Sequence, residues 1–266
     1  MISRLLIAIF ILFTAACSSQ EAADFKQAQK EINQKHYRIA LSYLDRVILR
    51  NSSSEYTLEA AREAARISYF EIKDYNKSAQ YHHFIVLNSK DQNERLESQK
   101  QIASIYFNNL QNYQQAIIEF SKLQQMPRTD MESAQYKLNI ARAQYYLNNF
   151  FQSESEIDSL LKLKSDPNTR FSALMLKGNI LVGKKQYQEA ADVFKKLIED
   201  YPEKSIEENV ALVLAVCYEE NNDFKSAIKI LEDHKEKYKP AEYIELRIKR
   251  LQERQRNAPG AKGFRK

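Results

Sequence analysis

The stretch Gly178–Pro202, GNILVGKKQYQEAADVFKKLIEDYP, holds the pattern that decides the fold. Gly178 is a small residue within one helical pattern, and a turn separates that pattern from the next. The second pattern places Tyr187, Ala190 and Phe194 at three- and four-residue spacing, and Pro202 follows it. Because residues three and four apart share one face of an α-helix, the stretch predicts two antiparallel helices joined by a turn.

The same pattern recurs along the chain. An aromatic residue opens the second helix six times, at intervals of 38, 38, 37, 37 and 37 residues: Tyr37, Tyr75, Tyr113, Phe150, Tyr187 and Phe224. Nine residues earlier lies a position that is small in five of six cases: Ala28, Arg66, Ser104, Ala141, Gly178 and Ala215. Small residues let two helix backbones approach closely, and the low content of four Gly and five Pro also favours long helices.

The order of small residue, aromatic, Ala-x3-Phe and Pro resembles the tetratricopeptide repeat. This resemblance implies an all-α fold, a right-handed α-solenoid of about six helix pairs over residues 25–240 with a period of 37–38. No linker is long enough to divide the array, so we expect one elongated body. The charged segment 241–256 is predicted to be a capping helix, and the basic segment 257–266 a disordered tail.

The N-terminus has the features of a secretory signal. A basic start that includes Arg4 precedes nine apolar residues, Leu5–Phe13, and small residues then lead to Cys17. The apolar run is shorter than the roughly 20 residues that span a bilayer. Because the small residues end on Cys17, the segment resembles a bacterial lipoprotein signal, with 1–16 removed, Cys17 lipidated and 17–24 as a tether. The alternative is an ordinary signal peptide cut after an Ala-x-Ala-like site, with Cys17 incidental.

The residues after Cys17 indicate a location. Ser18 and Ser19 stand where the enteric lipoproteins of the inner membrane carry Asp, so the resemblance implies a lipid anchor in the outer membrane, facing the periplasm. A lipidated Cys17 leaves Cys217 without a disulfide partner. Cys217 lies in the apolar run VALVLAVCY and is predicted to be a small core residue.

We find no pattern typical of an enzyme. The four His show no i, i+4 pairing of a helical metal site, and no Gly-rich phosphate loop or Gly-x-Ser-x-Gly motif occurs. The net charge of +5 is mild and implies no nucleic-acid partner. We therefore expect a non-catalytic protein without a metal, a cofactor or a small-molecule substrate.

A protein partner is the remaining expectation. In the tetratricopeptide family the first helix of each pair lines a concave groove that binds peptides. By register from the aromatic, the resemblance implies these groove residues: Glu63, Phe70, Gln101, Asn108, Gln135, Arg142, Tyr145 and Asn179, with Ile67, Ile105 and Leu138 on the same faces. The alternative is that these are exposed helix residues without a ligand.

The lipoprotein-like signal together with long repeats resembles the BamD-type outer-membrane assembly lipoproteins, most closely at Phe194–Pro202. This resemblance implies a membrane-anchored scaffold that binds protein partners in the periplasm as a subunit of an envelope assembly complex. Two alternatives stay open. One is an accessory lipoprotein of pili, motility or cell division. The other is a peptidoglycan- or lipid-binding tether that uses the basic C-terminus, where residues 247–266 hold eight basic residues and one acidic residue.

Overall fold

A computed structural model describes residues 20–50, 55–126, 129–237 and 241–257. All regular elements in this part of the chain are helical, so the predicted all-α class is confirmed. The helices are α1 (20–33), α2 (Tyr37–Arg50), α3 (Glu55–Ile67), α4 (Tyr75–Asn88), α5 (Gln92–Ser104), α6 (Tyr113–Gln125), α7 (Asp130–Tyr146), α8 (Phe150–Leu161), α9 (Pro167–Gly183), α10 (Tyr187–Asp200), α11 (Pro202–Glu207), α12 (Val210–Glu220), α13 (Phe224–His234) and α14 (Ala241–Asn257).

The described residues divide into two compact units, unit 1 within residues 1–127 and unit 2 within residues 128–266. Unit 1 contains the helix pairs α1/α2, α3/α4 and α5/α6. Unit 2 contains α7/α8, α9/α10 and α12/α13, with the short α11 and the final α14. The division between the two units falls between residues 127 and 128.

The second helix of every pair begins at its aromatic residue, as predicted. A short polar side chain before the aromatic often supplies the helix cap. The carboxylate of Asp74 accepts a hydrogen bond from the Lys77 amide at 3.0 Å, and Asn112 accepts one from the Gln115 amide at 3.1 Å. These bonds satisfy amide groups that have no partner within the helix, so a local sequence signal fixes where α4 and α6 start.

The turn before each aromatic contains a residue in the left-handed conformation. The φ angle is 50–62° at the residue two places before each aromatic: Lys35, Lys73, Gln111, Asn148, Lys185 and Asn222. This conformation costs a residue with a side chain about 1 kcal/mol. Because no Gly relieves the cost at these positions, the packing of the two flanking helices must hold the turn in place.

The 38-residue intervals have a structural cause at the ends of α3 and α5. Both helices finish in a π-helical turn, Ser68–Ile72 and Ile105–Asn109. There the residue before the aromatic, Asp74 or Asn112, donates its amide to a carbonyl six residues earlier. In the 37-residue repeats the equivalent Asn149 donates to Gln144, five residues earlier. One inserted residue is thus absorbed as a π turn, the usual outcome of a single insertion in an α-helix.

The insertion corrects the predicted set of small residues. Ser78 Oγ donates to the Ala65 carbonyl at 3.0 Å, and Ser153 Oγ donates to the Ala141 carbonyl at 2.7 Å. Ala65 is therefore the counterpart of Ala141, and the exposed Arg66 is not. With the inserted residue counted, the close-approach position is occupied by a small buried residue in all six pairs: Ala28, Ala65, Ala103, Ala141, Gly178 and Ala215.

At Gly178 the two helices approach too closely for a larger side chain. A Cβ atom on Gly178 would lie 2.4 Å from Cζ of Phe194, whose side chain is fully buried between α9 and α10. Cys217 is also fully buried in unit 2, which confirms its predicted core position, and burial raises the pKa of its thiol to about 11.

A buried polar contact joins α5 to α6 in unit 1. Gln99 Nε2 donates to Oε2 of the fully buried Glu119 at 2.7 Å. Lys122 Nζ lies 2.9 Å from the same oxygen, and His83 Nε2 approaches the other carboxylate oxygen at 3.8 Å. Burial alone would raise the pKa of Glu119, but the hydrogen bonds from Gln99, Lys122 and Gln115 outweigh it and hold the pKa below its usual 4.5.

The ends of the chain differ in part from the prediction. Residues 20–24 of the predicted tether lie in helix α1. Helix α14 covers the range of the predicted capping helix and buries Ile244, Ile248 and Leu251. Cys17, the signal segment and residues 258–266 of the predicted tail lie outside the described residues. Within the described part of the chain, no helix is both long and apolar enough to cross a membrane.

Candidate interaction surface on the first helices

In unit 1, one face of α3 is buried and the opposite face carries predicted groove residues. Glu63 is half-buried, and Phe70 is 66 % exposed. Arg66, also exposed, places Nη2 2.9 Å from a Glu63 carboxylate oxygen and Nη1 3.9 Å from Glu71. The hydrogen bond to Glu63 is the main cause that raises the pKa of the Arg66 guanidinium. This face therefore combines an exposed aromatic ring with a guanidinium that already has carboxylate partners.

The corresponding face of α5 carries uncharged polar residues. Gln101 and Asn108 are exposed, and Asn108 Nδ2 donates to Ser104 Oγ at 3.0 Å. Asn108 lies within the π-helical turn Ile105–Asn109. The amide groups of Gln and Asn can each donate and accept, which suits them to bind the backbone of a peptide.

In unit 2, the face of α7 is lined by polar residues at intervals of four, three and four: Gln135, Asn139, Arg142 and Tyr146. Gln135 Oε1 accepts a hydrogen bond from Thr169 Oγ1 of α9 at 2.9 Å, so α7 and α9 lie side by side. Asn179 on α9 is half-buried and stands 37 residues after Arg142, at the equivalent repeat position. We call Gln135, Asn139, Arg142 and Asn179 the unit 2 polar stripe.

Arg142 differs from the arginines of α3 in its contacts. Arg62 and Arg66 each bond to a carboxylate, Glu94 and Glu63 respectively. Among the described residues, Arg142 makes neither an ion pair nor a side-chain hydrogen bond. A half-buried guanidinium without an internal partner keeps all its donors for a carboxylate from another molecule, which it can bind in a bidentate manner.

Several predicted groove positions do not lie on an open face. Ile67, Ile105 and Leu138 are buried in the core, so their assignment to the groove is wrong. In α3 and α5 the cause is the inserted residue, because counting back from the aromatic misses the register by one. The register of Arg142 corresponds to Arg66 and Ser104, both of which the sequence analysis missed. Aligning the first helices on their small residues, and not on the aromatic that begins the second helix, would have found them.

Tyr145 has a mainly structural environment. Its ring is half-buried and packs against Phe150 at 5.8 Å and against Tyr146 at 5.9 Å between centroids. Tyr146, which the prediction omitted, is 53 % exposed. The more accessible ring on this face is therefore Tyr146.

The described residues also show whether side chains suited to metal chemistry lie together. Among the described residues, no cluster of three or more His, Cys, Asp and Glu side chains could hold a metal ion. His82 is half-buried, and burial is the main cause that lowers its pKa to about 4, so its imidazole is neutral at pH 7.

Comparisons with known proteins agree with this architecture. Two family profiles described as tetratricopeptide repeat match residues 138–205 and 181–247. Residues 138–247 of this chain are therefore similar to tetratricopeptide repeats. No curated protein sequence matches it significantly.

Solved structures share the fold at low sequence identity. A tetratricopeptide repeat protein from Parabacteroides merdae is 13% identical with a TM-score of 0.53, and the match covers 88% of each chain. YrrB, described as a TPR protein with an unusual peptide-binding site, is 12% identical with a TM-score of 0.53. That match covers 78% of this chain and 97% of YrrB. At such identities, the likeness shows the fold alone.

Proposed function

We propose that this chain is a non-catalytic scaffold that is anchored by lipid at Cys17 and binds protein partners in the bacterial periplasm. Tetratricopeptide repeats support a role in protein interaction, and the description of YrrB gives a precedent for peptide binding. The segment that ends at Cys17 supports the anchor and an outer-membrane location. The proposed partner complex is an envelope assembly machine, as the likeness to BamD-type lipoproteins suggests.

The observation that carries the binding role is the unit 2 polar stripe. Arg142 has no carboxylate partner in the described chain, while Gln135, Asn139 and Asn179 add amide groups around it on α7 and α9. Such a surface suits an extended peptide segment with a carboxylate side chain, since the guanidinium recognises the carboxylate and the amides bond the backbone.

The proposal is tested by crosslinking in membranes, followed by purification and mass spectrometry. Arg142→Glu reverses the charge on the stripe. Lys196→Glu makes the same charge change at an exposed position of α10, a second helix of unit 2, and is the matched control. We expect Arg142→Glu to lose partners that both the native chain and Lys196→Glu retain. Recovery of the same proteins from all three forms would exclude the stripe as the binding surface.

The basic C-terminus supports a second candidate function, a tether to peptidoglycan or anionic lipid. Its support is the excess of eight basic residues over one acidic residue in 247–266. Removal of residues 258–266 tests it, because that deletion leaves α14 intact. Unchanged sedimentation with peptidoglycan and with anionic vesicles after the deletion would contradict a role for the tail.

A further inference from the structure

Two exposed leucines in unit 1 occupy equivalent repeat positions. Leu49 near the end of α2 and Leu87 near the end of α4 are both 81% exposed, more than any other large hydrophobic side chain among the described residues. Each lies twelve residues after the aromatic that begins its helix. At this position the later repeats carry polar residues: Gln125, Lys162, Glu199 and Glu236. At this repeat position the exposed apolar residue is thus confined to the two repeats closest in sequence to Cys17. At other positions later repeats also expose apolar side chains, such as Phe151 at 79%.

The two leucines lie at the same edge of unit 1. Tyr81 Oη of α4 donates to Asp45 Oδ1 of α2 at 2.6 Å, which sets the two helices side by side. Leu49 comes four residues after Asp45 and Leu87 six residues after Tyr81, so both lie toward the helix C-termini from this contact. At a rise of 1.5 Å per residue, the displacements are about 6 Å and 9 Å. We call this side, defined by Leu49 and Leu87, the leucine edge.

The first turn of α1 also lies at the leucine edge. The carboxylate of Asp24 is 2.8 Å from Arg50 Nη2 and 3.6 Å from Arg46 Nη1, so the start of α1 lies beside the end of α2. Only three residue steps separate Cys17 from residue 20, the first described residue of α1. Three steps of chain reach about 11 Å at most. A lipid on Cys17 would therefore hold this edge within about one helix diameter of the bilayer surface.

We infer that the leucine edge lies on the lipid surface, with Leu49 and Leu87 inserted among the headgroups. The inference rests on the lipid anchor proposed above and adds an orientation to it. Charge at the edge is compatible with anionic headgroups, because the two guanidinium groups of Arg46 and Arg50 lie there, around the carboxylate of Asp24. An exposed apolar side chain beside a membrane gains free energy by leaving water, whereas the same residue in the later repeats would have no such partner.

Site-specific fluorescence on the anchored chain tests this orientation. Leu49→Cys and Leu87→Cys variants carry an environment-sensitive maleimide dye, and the lipidated protein is placed in vesicles of phosphatidylethanolamine and phosphatidylglycerol. Ile39→Cys is the matched control, since Ile39 is 50% exposed on the same helix as Leu49, and ten residues, about 15 Å, away. The buried Cys217, with its raised pKa, stays unlabelled in the folded protein.

We expect a blue shift and a loss of emission to a lipid-borne quencher at positions 49 and 87, with neither at position 39. Equal responses at 39 and 49 overturn the inference. A response of the 49 label that grows with protein concentration in detergent, without vesicles, also overturns it, because a second copy of the chain would then cover the edge.

Membrane retention separates failure of the anchor from failure of the orientation. If the native chain stays in the soluble fraction as the Cys17→Ala form does, the anchor and the inference are both overturned. If the native chain is retained, Cys17→Ala is released and the labels respond alike, only the orientation is overturned.

Discussion

Substitution of Gly178 by Ala tests how closely α9 and α10 pack. The new Cβ would lie 2.4 Å from Cζ and 2.5 Å from Cε1 of Phe194, so both ring atoms would have to move by about 1 Å to reach ordinary contact. The ring is fully buried, and its neighbours leave it little room. In three other pairs the small residue is Ala and the facing residue is aliphatic, as in Ala28 with Leu44 and Ala215 with Leu231, whereas by the same register Ala65 faces His82 and Ala103 faces Phe120.

Two opposing terms set the magnitude. Replacing Gly by Ala inside a helix stabilises it by about 1 kcal/mol, and overpacking a filled core costs about 1–3 kcal/mol. Because two atoms of a buried ring are displaced, we expect the upper half of that cost and a net loss of about 1–2 kcal/mol. With Phe194→Leu in place, the clash disappears and Gly178→Ala should stabilise the protein by about 0.5–1 kcal/mol.

Urea unfolding followed by circular dichroism measures the four members of this double-mutant cycle. The decisive result is the change of sign: Gly178→Ala lowers the free energy of unfolding beside Phe194 and raises it beside Leu. An equal effect in both backgrounds, with a coupling energy below about 0.3 kcal/mol, would refute the close-packing argument.

Three further predictions concern the turns, a buried carboxylate and the π insertions. Lys185→Gly should raise the free energy of unfolding by about 0.5–1 kcal/mol, because Gly adopts the positive φ of 61° without a Cβ clash; urea unfolding measures it. Because the pKa of Glu119 is lowered from its usual 4.5, the carboxylate contributes to the free energy of unfolding above pH 4.5, and this contribution should be lost as the pH falls below 4.5. Glu119→Gln should make that loss smaller, as measured by urea unfolding at several pH values. Deletion of Glu71 should convert the end of α3 to a regular α-helix and keep the protein folded. Deletion of Tyr146 from α7, which has no inserted residue, should lower the melting temperature more than deletion of Glu71 does.

Each of these predictions has a control. Lys196→Gly lies within α10 and should lose about 1 kcal/mol, so stabilisation there would contradict the turn argument. The exposed Glu97→Gln variant should retain the pH dependence of the native chain. Equal losses from the deletions of Glu71 and Tyr146 would contradict the assignment of an inserted residue to α3.

The starts of the second helices could be predicted because their signals are local. An aromatic residue preceded by a polar residue marks each start, and Asp74 and Asn112 show the capping bonds behind the pattern. The π turns could not be placed from sequence. An interval of 38 shows that one residue is extra, but its position became clear only from the contact of Ser78 with the Ala65 carbonyl.

For the candidate surface, too, the sequence predicted the features that depend on local helical spacing but not the contacts between side chains. Gln101, Gln135 and Asn179 lie on accessible faces of their helices because polar residues at helical spacing rarely face a core. The pairing of Arg66 and the lack of a partner at Arg142 depend on side-chain positions, which helical periodicity does not specify. The register error at Ile67 and Ile105 came from the same inserted residue that the interval alone could not locate.

The π turns also set a rule for exchanging repeats with other arrays. An inserted residue turns the rest of an α-helix by about 100°, and here the π turns of α3 and α5 absorb that rotation before the chain reaches the next helix. In a chimera joined at the aromatic that begins the second helix, the whole first helix with its inserted residue comes from one parent. The helices on both sides of the junction then keep their orientation. A chimera joined between the small residue and the aromatic would gain or lose one residue, and the donor surface would face a different direction from the one its designer intended.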